Sequence, residues 1–391
     1  MLPCGLYHGV CVYEELSVEV YGVTWINITQ FWEGSYLGIN WVKDWRKYMV
    51  RIKDIAQQLG VSSTTVSNVI HGKSNKASPE LVAKIKETLE REHYVPNMAG
   101  VLLAQSDSKI IAIVLSNNIR YGDKMLQDPF IREMIAGLEE SIREKGYFTM
   151  LHNTKDISDV ARIAAMWNIA GTVLFGFSKE DCETLRKRTD TPMVTIDGYF
   201  ETDIDNYVNV GVDDFDGGYQ VGKYLVDMGH KNALYIIDNH NGCNKYRLAG
   251  FKKAMVEAGN HFDESNSPLI GANEFEQKQF FENMCNEIIN RTNIYTALFF
   301  ASDVYAIGAI NYFQDKGINV PEQISIVGFD DTAYATVVRP YLTTVKQDIL
   351  LKSVVITNTL MNIINKYDIP SKDLKLPVEL IERKSVKRLE K

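Results

Sequence analysis

Residues 52–72 read IKDIAQQLGVSSTTVSNVIHG, a run whose residue types suit contact with the edges of DNA bases. Ile55, Ala56 and Leu59 share one face of a first helix, Gly60 permits a sharp turn, and Ser62 caps a second helix. Val66, Val69 and Ile70 of that second helix point inward. Ser63, Thr64, Thr65, Asn68 and His71 then point outward as short polar groups, able to enter a major groove without bulk. The same spacing describes a small helical hairpin with a solvated polar face, and spacing alone leaves both readings open.

A second set of polar residues lies further along. Arg247 falls between a strand and a helix, where a guanidinium fork could hold vicinal hydroxyls or a carboxylate. A lone arginine at a helix start is equally a solvated surface residue. Asp197 closes the apolar run 192–196, Asp330 closes 324–329, and Asp303 follows a strand ending near Phe300. Carboxylates at strand C-termini can accept from the hydroxyls of a sugar, or each can cap a helix, the role assigned to Asp331. Ser116 and Asn117, after the first strand, and Phe130 are candidate wall contacts.

No catalytic constellation accompanies these residues. There is no H-E-x-x-H, G-x-S-x-G, Walker loop, or G-x-G-x-x-G after a strand. The seven histidines are dispersed, and His152 reads as a packing or hydrogen-bonding residue. The five cysteines are scattered without a C-x-x-C pair, which points to free thiols in a reducing, cytoplasmic compartment and to no metal. No cofactor is expected. No apolar run reaches the roughly 18 residues of a membrane span, and the N-terminus lacks a secretory pattern.

The elements that must position these groups follow from periodicity. From Ile110 onward, apolar runs at 110–115, 147–151, 171–175 and 192–196 alternate with helical patterns, including 130–145. Further strands are expected at 233–237, 296–300 and 324–328, with helices at 217–228, 247–258 and 305–316. About ten such units exceed one sheet, so the pattern predicts an α/β body of two lobes with parallel sheets and a cleft between them. Residues 49–105 differ: they contain only short helical patterns. Ser78-Pro79-Glu80 is a strong helix start, and Leu81, Val82, Ile85 and Leu89 form one stripe after it, completing a three-helix domain. With 45% hydrophobic and 24% charged residues, the 391-residue chain has an ordinary globular composition. Its net charge is -8, yet residues 49–105 carry seven Lys/Arg against five Asp/Glu, a local excess compatible with phosphate contact.

The helix-turn-helix segment resembles that of the lac-repressor (LacI) family of bacterial transcription regulators. The likeness continues through HYVPNMAGVLLA (93–104), where the family has a Y-x-P-N segment and a hinge helix. It reappears at DPF (128–130), YRLAGF (246–251), SDVYAIGA (302–309) and VPEQISIVGFDD with YLTTVKQ (320–347), in family order. The resemblance implies a helix-turn-helix DNA-binding domain at 49–96, a hinge helix and linker at 97–108, and a two-lobed periplasmic-binding-protein-like effector and dimerisation domain at 109–391. It implies that Ser63 and Thr64 open the recognition helix and set operator preference, that Ser62 joins the DNA-binding set, that Thr65 and Ser67 hold phosphates, and that Asn68 reads a base. Many relatives have arginine at the position of Asn68; asparagine suits adenine rather than guanine. His71 and Asn97 join the DNA-facing set, and Leu103 matches the leucine wedged into the minor groove. Gly100 and Val101 depart from the usual Ala and Arg, which predicts a hinge that orders on binding DNA. Arg247 matches the family's effector-binding arginine, whereas Ser302 stands where many relatives have asparagine. The implied protein is a homodimeric repressor on a pseudo-palindromic operator, controlled by a small polar effector such as a sugar. A transport receptor and an α/β sugar-modifying enzyme are the alternatives.

Residues 1–48 lie outside the likeness and hold four of the five tryptophans. They show no element periodicity, and family members begin at a methionine such as Met49. The expectation is a start assigned too far upstream, the alternative being a short segment that docks through its tryptophans.

Overall fold

The structure is a computed structural model that describes residues 50–390 apart from 71, 73–76, 96–107, 117–121, 200–206, 241, 263–266, 272, 291–293 and 370. The expectations for residues 1–48, His71, Asn97, the hinge with Leu103, and Asn117 therefore lie outside the described residues. The chain divides into two units, Met1–Met98 and Ala99–Lys391.

In the first unit, α1 (Ile52–Leu59), α2 (Ser63–Ile70) and α3 (Pro79–Arg91) surround a core of Ile55, Ala56, Val66, Val69 and Ile85. Leu59, Ile70, Leu81, Val82 and Leu89 pack against that core from its edge. Gly60 ends α1 in the left-handed region (φ 68°), so Val61 N–H can reach back to the Ala56 carbonyl at 3.0 Å. The turn between the two helices depends on that conformation. Ser78 Oγ accepts from the Leu81 amide at 3.3 Å ahead of Pro79, as the sequence pattern requires.

The second unit contains two sheets. Strands β1 (Ile110–Ser116), β2 (Phe148–Thr154), β3 (Gly171–Phe175), β4 (Met193–Ile196), β5 (Asn209–Val212) and β10 (Asp373–Leu376) form an all-parallel sheet in the order β10-β5-β4-β3-β1-β2. Strands β6 (Ala233–Ile236), β7 (Ala297–Phe300), β8 (Ser325–Asp330) and β9 (Thr343–Lys346) are parallel, and β11 (Glu379–Ile381) joins β9 antiparallel. Helices α4 (Pro129–Glu144), α5 (Ile157–Trp167), α6 (Lys179–Arg186) and α11 (Ile349–Ile364) cover the first sheet. Helices α7 (Asp214–Asp227), α8 (Cys243–Glu257), α9 (Glu274–Ile289) and α10 (Asp303–Asp315) cover the second. Because both faces are buried, the central strands are continuous apolar runs, and periodicity located them.

Three connections carry the chain between the lobes, from β5 to α7, from β9 to α11 and from β10 to β11. None of the three was anticipated. NVGV (β5) and TTVK (β9) are four-residue strands whose glycine, asparagine and threonines give no apolar run. Helix α9, with Phe281, Met284, Cys285 and Ile288 buried at helical spacing, and α11 are also additional to the expected elements. A further correction concerns α8, which begins at Cys243 after Gly242 (φ 58°). Arg247 is therefore the fifth residue of a helix, not part of a strand–helix link, because CNKY is polar and reads as a loop.

Candidate functional site

On α2, Ser62, Ser63 and Thr64 are exposed, while Thr65, Ser67 and Asn68 are half-buried. Ser62 Oγ accepts from the Thr65 amide at 3.1 Å and lies 2.9 Å from Thr65 Oγ1. Those two hydroxyls thus brace the start of the helix. Among the described residues, no side-chain hydrogen bond engages Ser63, Thr64, Ser67 or Asn68. The helix presents a row of short donors and acceptors whose bonding capacity is unspent, the requirement for reading base edges.

The effector-unit candidates gather at the carboxyl ends of strands from both sheets. Asp197 follows β4 with φ 51°, and Asp330 ends β8 with φ 119°. Both sit in backbone conformations that side chains rarely adopt, and such strain concentrates where a group must be aimed. Ser116, fully buried, ends β1 beside β3, where the strand order reverses. Ser302 precedes α10 without capping it, and its Oγ is buried without a partner among the described residues. Phe130 opens α4 and meets Phe175 of β3 at 6.4 Å between ring centroids.

Arg247 is 5% exposed and firmly held. Its Nε donates to Asp214 Oδ1 at 2.7 Å, its Nη1 donates to the Ala301 carbonyl at 2.7 Å, and its guanidinium lies 3.4 Å from the centroid of the Phe329 ring. The Tyr199 hydroxyl donates to the other oxygen of Asp214, and its ring stacks on Tyr246 at 5.4 Å. Asp214, at the first position of α7, and Tyr199 were not anticipated as parts of the site; their sequence surroundings carry no distinguishing signal.

A second cluster joins the lobes. Lys352 Nζ on α11 donates to both oxygens of Asp197 at 2.7 and 2.8 Å and to Gln347 Oε1 at 3.2 Å. Gln347 Nε2 donates in turn to Asp330 Oδ1 at 2.7 Å. Gln347 stands inside the YLTTVKQ segment, and Lys352 is the one charge in ILLKSVVITNTLMNII, a signal that could have marked it. Between α4 and the segment after β8, Arg132 Nη2 donates to the Tyr334 hydroxyl at 3.3 Å and the Ala333 amide to Glu133 at 3.4 Å.

Asp303 faces inward, contrary to its expected place against a ligand. It is fully buried and accepts from Thr344 Oγ1 at 2.6 Å, the Thr332 amide at 2.8 Å and Thr332 Oγ1 at 3.2 Å. An alanine methyl at Gly328 would lie 2.3 Å from its Oδ1, so that glycine makes room for the carboxylate. Asp303 thereby ties α10 to the loop after β8. Asp331 sits in an ion pair with Arg383 at 2.6 Å rather than only at a helix start.

Burial pushes the Asp303 carboxyl up to about 7 against the opposing hydrogen bonds from Thr344 and Thr332, and burial also raises Asp330 and Asp214. A carboxyl raised by folding binds its proton more tightly in the folded state. Its contribution to stability is full below the unfolded value of about 3.9 and is lost as pH rises through about 7. The melting temperature of the wild type should accordingly fall relative to Asp303→Asn between about pH 4 and pH 7. Parallel profiles for the two proteins would contradict this.

Among the described residues, no group of three or more His, Cys, Asp or Glu is arranged to hold a metal ion. No helix among them is long and apolar enough to cross a membrane.

Residues 51–97 match the model of bacterial regulatory proteins of the lacI family, and residues 223–386 match that of a periplasmic binding protein-like domain. The HTH-type transcriptional repressor PurR of Histophilus somni is 30% identical over 349 residues, covering 87% of this chain and all of the relative. The chain belongs to the LacI family. As a LacI-family protein it is a DNA-binding transcription regulator and not an enzyme. PurR of Pasteurella multocida is likewise 30% identical over 349 residues, covering 87% of this chain and 99% of the relative. The fold of this LacI-family regulator is that of the lac repressor dimer bound to operator and the anti-inducer ONPF, with a TM-score of 0.73 at 21% identity over 87% of this chain and 99% of that one. It is also that of the transcriptional regulator CelR in complex with cellobiose, with a TM-score of 0.61 at 24% identity over 86% and 99%.

Proposed function

We propose that the chain is a cytoplasmic, homodimeric repressor that holds a pseudo-palindromic operator through α2 and releases it in response to a hydroxyl-rich ligand such as a sugar. The observation carrying the effector half is the convergence of Arg247, Asp197, Asp330 and Ser302 at the carboxyl ends of strands from both sheets. Carboxylates accept from ligand hydroxyls, the unpartnered serine hydroxyl can donate or accept, and Ser116 and Phe130 would complete the wall, as the sequence suggests for Asn117. Asp303 acts one layer behind, through Thr344 and Thr332. Ligand closure of the lobes would be transmitted along residues 97–108, the DNA-binding domain being 49–96 and the effector domain 109–391. The sugar-bearing neighbours CelR with cellobiose and a LacI family regulator of Enterococcus faecium with bound ribose support the ligand class. A thermal-shift screen of the full chain against mono- and oligosaccharides and nucleobases tests it: stabilisation by a sugar is expected, and stabilisation by nucleobases alone would replace the reading.

Edge strand β2 supports the homodimer, because Phe148 and Leu151 stand exposed on it, an aggregation hazard unless a second copy covers them. On the DNA side, Asn68→Ala should weaken binding to an operator selected from a random library by about 1–3 kcal/mol and relax preference at one base pair. Ser63→Ala should relax an adjacent position. Fluorescence anisotropy at fixed salt measures both; equal weakening on every sequence would reassign Asn68 from a base to a phosphate.

A further inference from the structure

We infer that Lys352 is a positioning residue of the effector cleft and that it makes the cleft selective for a neutral polyhydroxylated ligand over an anionic one. The inference rests on reading Asp197 and Asp330 as ligand-facing. Lys352 has no exposed side-chain surface, and a buried ammonium is tolerated only when its protons are matched by acceptors. An ammonium has three donors, and Lys352 makes three hydrogen bonds, two to Asp197 and one to Gln347. Nothing remains for a ligand phosphate. The cation therefore acts on the carboxylate rather than on the ligand.

Asp197 is the partner that reaches the cleft, with 19% of its side chain exposed. Each of its oxygens takes one bond from Lys352 and keeps lone-pair capacity for a ligand hydroxyl. The amide of Gln347 passes the arrangement to Asp330, so acceptors on β4 of one lobe and β8 of the other are aimed by one buried lysine. The local charge agrees: Lys352 is matched by Asp197 in one ion pair and Arg247 by Asp214 in another, so Lys352 brings no unmatched positive charge to the cleft. Arg247 already spends Nε and Nη1 on Asp214 and the Ala301 carbonyl. A phosphate beside Asp197 would meet a carboxylate whose counter-ion Lys352 has no donor left to offer, whereas a hydroxyl would meet aimed acceptors.

The test uses the full chain with D-ribose, cellobiose and D-ribose 5-phosphate as probes in thermal shift and calorimetry. Wild type should be stabilised by a neutral sugar and not by the phosphate. Lys352→Met should bind that sugar about tenfold or more weakly, while Lys352→Arg, which restores donors to Asp197, should recover most of the loss. Tighter binding of the phosphate than of ribose, or unchanged sugar binding by Lys352→Met, overturns the inference. If no probe binds wild type, the sugar reading falls, and hydrogen exchange of the ligand-free protein decides on Lys352. Faster exchange at residues 197–199 and 347 in the variant supports positioning, and unchanged exchange refutes it. Should Lys352→Met not fold, the wild-type comparison of ribose with its phosphate and the sugar affinity of the arginine variant decide in the same way.

Discussion

Arg247→Ala is expected to destabilise the effector unit by about 3–5 kcal/mol, before any effect on ligand response is read. The cause is the partner left behind. Asp214 is 2% exposed and its carboxylate is balanced by the guanidinium at 2.7 Å, with the Tyr199 hydroxyl on its other oxygen. Removing the arginine strands that carboxylate and also empties the slot against Phe329 and the Ala301 carbonyl. Chemical unfolding of ligand-free protein measures the loss, and pairing the change with Asp214→Asn should recover a large part of it. A single alanine variant as stable as wild type would show that the ion pair contributes nothing. The conservative Arg247→Lys is the sharper probe of signalling, since it keeps the charge and loses the fork. It should remain folded, keep operator binding and lose the ligand response.

The second large effect concerns two glycines rather than a charge. Helices α7 and α8 approach so closely that a methyl at Gly218 would lie 1.9 Å from the Arg247 carbonyl, and one at Gly250 the same distance from the Phe215 carbonyl. Neither contact can be relieved by turning a side chain, because the obstacle is backbone. Gly218→Ala and Gly250→Ala should each cost about 3 kcal/mol or more, exceeding the helix-propensity gain of about 1 kcal/mol. They should also loosen ligand binding, because α8 carries Arg247 and α7 begins at Asp214. Gly308→Ala is the control: its methyl would meet Phe281 at an ordinary 3.5 Å inside α10 and should be neutral or stabilising. Equal melting temperatures for the Gly218 and Gly308 variants would show that the close approach of the two helices imposes no such cost.

Local pattern carried much of the architecture. The helices around Ile55, Val66 and Ile85 follow from apolar spacing, Gly60 marks a turn through its left-handed backbone, and Ser78 marks a start through its side-chain cap. Central strands such as β1, β3 and β8 are legible because burial on both faces demands an unbroken apolar run. Strands β5 and β9 were not, since a four-residue strand needs no such run when its neighbours already exclude water. The error over α8 had the same origin: four polar residues look like a loop unless Gly242 is known to turn into a helix there. Within the site, Arg247, Asp197, Asp330 and Ser302 stood out by type and position, whereas Asp214, Tyr199 and Lys352 did not.

The boundary between the two sources of information is set by range. The sequence alone determined the family, the short polar face of α2, the α/β body and the residues at strand ends, because each is written in neighbours a few positions apart. Tertiary structure decided that Arg247 is committed to Asp214 across 33 positions, and that Asp303 serves Thr344 and not the cleft. It also decided that Lys352 meets Asp197 across 155 positions. Such pairings join elements far apart in the chain, that of Lys352 only after two crossings between the lobes, and burial then makes each unmatched polar group too costly to leave alone.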